Sequence, residues 1–121
     1  MGPKRYLLLR RLHLARRALR EADPYEAFRR YVLDLYDALA RDRLLAERLA
    51  DVASPAAASI LETLASLMET ARAAGQLRED ATQLDLRVLL CGAALQLMRL
   101  TERDPATWRR YGEMVLAALR P

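Results

Sequence analysis

Few residues in this chain have the type and spacing that catalysis needs. His13, the single histidine, lies among arginines on an N-terminal helical stretch and reads as a partly exposed side chain rather than a catalytic base. Cys91, the single cysteine, falls mid-helix beside Leu90 and Gly92, where a buried inert thiol is the expectation. One cysteine also excludes an intrachain disulfide framework and any multi-thiolate metal site. Glu-x-x-His pairs and His-x-x-x-His spacing are missing, so no carboxylate-bridged metal is expected in a helical bundle. The four scattered glycines form no phosphate-cradling loop. The expectation is a protein that is not an enzyme, with no metal and no cofactor. What the side chains do offer is apolar recognition. Phe28, Tyr31 and Leu35 are placed to face Leu64 and Met68 across an apolar cavity, with Tyr31, Tyr36 and Gln96 as polar groups that could orient a guest. The same stripe also has the pattern of ordinary core, and both uses stay open.

The elements that must position these residues are helices. Leu (25) and Ala (22) dominate the 121 residues, against 4 Gly and 5 Pro, a mixture that suits helices and disfavours sheets. The length fits one domain with one modest core, here residues 1–121. No apolar run approaches the ~18–20 residues of a membrane span, and no secretory signal is expected, so the protein is placed in the cytoplasm with no membrane partner. Charge is uneven. Residues 1–20 hold seven basic side chains and no acid, whereas the remainder holds 13 basic and 16 acidic ones. A uniformly basic nucleic-acid binder is therefore a poor description. The basic stretch could rest on anionic lipid or a phosphate backbone, or simply be a solvated arginine face.

Six helices are predicted. The first runs from Pro3 or Lys4 to Glu21, with a stripe of Leu8, Leu12, Ala15, Leu19 and Ala22. Asp23-Pro24, Ser54-Pro55 and Asp104-Pro105 each pair an N-cap side chain with a proline whose missing N–H costs nothing at the first helical position. They start the second (to about Ala40, burying Phe28, Tyr31, Val32, Leu35 and Leu39), fourth and sixth helices. The short third helix runs from about Asp42 to Ala50. Gly75 ends the fourth, and Thr82 with Asp85 starts the fifth.

The fifth helix is apolar around most of its circumference and needs neighbours on at least two sides. The sixth carries Trp108, Tyr111, Val115 and Leu119 on a stripe, and Gly92 and Gly112 suggest close helix approach. Two such helices from each of two identical chains make a four-helix bundle about a two-fold axis. The fold expected is all-α, with residues 82–121 as dimerisation helices and Leu90, Ala94, Leu97, Trp108, Tyr111, Val115 and Leu119 at a homodimer interface.

The run Ala73-Ala74-Gly75-Gln76-Leu77-Arg78-Glu79-Asp80, then Asp85-Leu86, Leu89-Leu90, Trp108-Arg109-Arg110-Tyr111 and Leu119-Arg120-Pro121, resembles the C-terminal regulatory domain of TetR-family bacterial transcriptional regulators. The upstream run from Asp23-Pro24 through Phe28-Arg29-Arg30-Tyr31 to Ala40-Arg41-Asp42 is similar to the same subgroup. The resemblance implies an effector-binding and dimerisation domain, a pocket for a small apolar or aromatic effector, and residues 1–22 as the connecting helix. Family members begin with a helix-turn-helix domain that residues 1–20 do not supply. The chain itself is therefore expected not to read DNA, and to reach it only through a missing N-terminal domain. A truncated fragment, a mis-assigned gene start and a natural headless regulator that pairs with an intact relative are the three accounts. A ligand-free helical interaction module is the alternative function.

Overall fold

The computed structural model describes residues 10, 12–18, 20–51 and 53–121. Helix α1 is described at 12–18. It is followed by α2 (Pro24–Arg41), α3 (Arg43–Ala50) and α4 (Pro55–Ala73). A long fifth helix, α5 (83–99), is α-helical at Gln83–Asp85, π-helical at Leu86–Cys91 and α-helical again at Gly92–Arg99. Helix α6 spans Pro105–Leu119. The described residues contain no strand. The all-α class is the one expected from the composition.

The helix starts follow from local chemistry. Asp23, Ser54 and Asp104 each accept a first-turn N–H on their side chains, with proline next in the chain. Asp42 caps α3 in the same way, and Thr82 with Asp85 forms a reciprocal capping box at the start of α5. Helix α4 ends as the glycine foretold. Gly75 adopts φ +75°, its N–H donates to the Arg72 carbonyl, and the Gln76 N–H donates to the Ala71 carbonyl. Helix α5 ends in the same geometry without a glycine: Thr101 sits at φ 57°.

Helix α2 is the centre of the molecule, packed between α4 and α6. Phe28, Tyr31, Val32, Leu35 and Leu39, the stripe read from the sequence, are all buried, joined by Tyr36. Helix α1 turns a different face inward from the one expected. Leu14 and Ala18 are buried, whereas Leu12 is 44% exposed and Ala22 is also exposed. Leu8 and Leu19 lie outside the described residues. Both stripes have helical spacing, and the wheel alone does not say which meets α2. Acids of α2 and α3 answer part of the basic excess: Arg17 pairs with Asp34 at 2.6 Å and Arg10 with Asp42 at 3.7 Å.

The resemblance motifs converge on one clamp. The Gln76 amide donates to Asp23 and accepts the Tyr25 N–H, tying the α4–α5 connection to the start of α2. Arg78 N–H donates to the Leu119 carbonyl, Arg120 donates to the Gln76 carbonyl, and the Arg120 guanidinium lies 4.0 Å from the Tyr25 ring centroid. Leu77, 1% exposed, anchors the connection in the core.

Candidate functional site

A cavity of about 670 Å³ opens between α2, α3, α4 and α5. That size lies within the range of small-molecule sites. Leu35 and Leu39 of α2 and Leu49 of α3 form one side, and Ile60, Leu61, Leu64 and Ala65 of α4 form the next. Leu86, Leu90, Cys91, Ala94, Leu95 and Met98 of α5 close it. Only Glu62, Gln83 and Arg87 bring long polar side chains to the wall, and all three are solvent-exposed.

The wall on α5 depends on the π-helical turn. Within Leu86–Cys91, Leu86, Arg87, Leu90 and Cys91 border the cavity while Val88 and Leu89 remain on the outside. A π-helical turn widens the backbone and is found disproportionately at functional sites. Here the Leu90 carbonyl within that turn receives the Tyr36 hydroxyl proton, a buried contact across the core. Burial pushes the Tyr36 phenol well above its ordinary range, so it stays a donor. Burial likewise pushes the Cys91 thiol up, partly opposed by the positive field of Arg87. Cys91 is thus a protonated wall residue and not an activated nucleophile. Among the described residues no cluster of His, Cys, Asp and Glu could hold a metal ion, and no helix is long and apolar enough to cross a membrane.

The model of the family described as the C-terminal domain of SbtR-like transcriptional regulators matches residues 23–121. The chain belongs to this TetR-type family. Comparison with curated proteins and with solved structures gave no match. The matched span contains every helix that borders the cavity, from α2 to α5.

In this SbtR-like domain, Leu35 and Leu64 are cavity wall. Phe28, Tyr31 and Met68, expected beside them, are buried core side chains at 0%, 1% and 3% exposure and do not border the cavity. Gln96 is exposed and away from the cavity, because the inward face of its helix runs through Ala94, Leu97 and Met98. The polar groups at the cavity are Gln83, Arg87 and Glu62 instead, which sequence periodicity passed over as ordinary surface.

Most of the expected interface residues take part in the chain's own core. Leu90, Ala94, Leu97, Trp108, Val115 and Leu119 are buried in their own chain, and only Tyr111 keeps substantial exposure. Trp108 meets Tyr36 edge-on at 5.5 Å, and its indole N–H donates to the Glu102 carbonyl. Gly112 serves the same core: a Cβ there would lie 3.1 Å from Leu33 and 3.2 Å from Tyr36. Gly92 has no such constraint, its nearest neighbour being the Arg87 carbonyl at 3.8 Å.

Proposed function

We propose that this chain is the effector-binding and dimerisation domain of a TetR-type transcriptional regulator. The cavity walled by α2–α5 is the effector site, and a second copy of the chain covers the outer face of α5 and α6. The observation that carries the first part is an apolar cavity of ligand size in a domain that belongs to a regulator family. The second part is supported by what the chain leaves uncovered. Of seven large exposed apolar side chains among the described residues, six lie on or just beyond these two helices: Leu84, Val88, Leu89, Leu100, Tyr111 and Met114. Apolar surface concentrated in this way marks interaction sites. A two-fold axis beside α5 and α6 lets the same patch on two chains cover itself.

The effector reading is tested with N-phenyl-1-naphthylamine, an apolar dye whose fluorescence rises on leaving water. The expected result is saturable binding of one dye per chain, abolished by Ala58→Trp. Ala58 is exposed at the cavity mouth, so a Trp there obstructs entry while the core stays intact. Binding that Ala58→Trp leaves unchanged would place the dye elsewhere and refute the cavity as the site. For assembly, sedimentation is expected to give a particle of twice the 13.7 kDa chain mass, and Val88→Glu a folded monomer. A wild-type monomer at micromolar concentration would refute the dimer.

A further inference from the structure

The cavity has a polar rim and an apolar floor. Leu35, Leu64, Leu86 and Leu90 are buried at its base, while Gln83, Arg87 and Glu62 are exposed at its edge. An occupant therefore buries an apolar body and presents one end to three polar side chains. Gln83 and Arg87, one before the π-helical turn and one within it, both border the cavity and both carry side-chain donors. Arg87 makes no side-chain hydrogen bond or ion pair among the described residues, and its planar guanidinium matches a carboxylate with two parallel bonds. Glu62, on the α4 side, is the one carboxylate among the residues that line the cavity. The positive field of Arg87 also reaches into the wall, where it acts on the Cys91 thiol.

We infer that the cavity takes an apolar ligand ending in a carboxylate, with Arg87 receiving the carboxylate and Gln83 donating beside it. This rests on the reading of the cavity as the effector site and adds the chemistry of the effector. A cationic amphiphile held by Glu62 and a neutral one held by the floor alone are the competing occupants.

Three probes with one apolar body separate these cases: decanoate, decanol and decylamine, each displacing N-phenyl-1-naphthylamine from the full chain. Wild type is expected to bind decanoate about tenfold more tightly than decanol, the margin of one charge-assisted contact. Arg87→Gln should erase that margin, with a thermal unfolding transition like that of wild type showing that the variant is folded. Arg87→Glu should turn the preference toward decylamine. Equal binding of decanoate and decanol by wild type overturns the inference while the effector site stands. So does a decanoate preference that survives Arg87→Gln, or a wild-type preference for decylamine. Failure of the dye and all three probes to bind overturns the inference and the effector reading together.

Discussion

Tyr36 joins three parts of the molecule through one side chain. Its hydroxyl holds the Leu90 carbonyl in the π-helical turn, its ring meets Trp108, and its Cδ2 occupies the space that Gly112 leaves free. The sequence places Tyr36 beside the apolar stripe of α2 but does not show that its hydroxyl is committed to backbone rather than to a guest. Tyr36→Phe should therefore cost about 1–2 kcal/mol of stability by chemical denaturation, because a buried carbonyl loses its donor. It should also weaken dye binding, since Leu90, whose backbone it holds, borders the cavity. Thr101 is the opposite case, a residue at odds with its backbone. A β-branched side chain at φ 57° is strained, and the helix-ending geometry around it would suit glycine. Thr101→Gly is expected to raise stability by about 0.5–1 kcal/mol, the relief of strain exceeding the added entropy of the unfolded chain. A lower melting temperature would show that the threonine side chain contributes more than its strain.

At the scale of elements, the helix starts were the most legible feature. A capping side chain followed by proline is local chemistry, so Asp23, Ser54 and Asp104 mark their helices without reference to the rest of the chain. Helix α5 was legible as a helix but not in its phase. A wheel drawn at a constant angle per residue loses register across the π-helical turn at Leu86–Cys91. The clamp around Gln76 was readable only as a motif, because its partners are 51 to 53 residues away. It predicts a pH dependence. The Gln76 amide, then the Glu26 N–H, hold the Asp23 carboxyl below its ordinary value of 3.8. A carboxyl with a lowered folded-state pKa stabilises at neutral pH, and that contribution is lost as the pH falls through the folded-state value. The melting temperature of wild type should thus fall more steeply below about pH 4 than that of Asp23→Asn, which keeps a helix-capping side chain but cannot titrate. Parallel curves would show that Asp23 has no part in acid sensitivity.

For the whole molecule, the excess of apolar side chains on the last two helices divides into three destinations. Leu90, Leu97, Trp108 and Leu119 complete the chain's own core. Cys91, Leu95 and Met98 face the cavity. Leu84, Val88, Leu100 and Met114 stay exposed and supply the proposed contact with a second copy. Composition shows the surplus, but its division depends on where α2 and α4 stand against α5, which no local pattern encodes. For the same reason periodicity points to Leu35 and Leu64, which border the cavity, and to Tyr31, Tyr36 and Gln96, which do not, while the long polar side chains at the cavity are Gln83, Arg87 and Glu62. The central claim is that this cavity holds the effector, and Cys91 in its wall is the chain's single thiol. The most direct test is the rate of Cys91 alkylation by iodoacetamide at alkaline pH, measured with and without saturating N-phenyl-1-naphthylamine. The account predicts that the dye slows alkylation about tenfold or more, as expected when a bound ligand occludes the thiol in nine-tenths or more of the chains. An unchanged rate under saturating dye would contradict it.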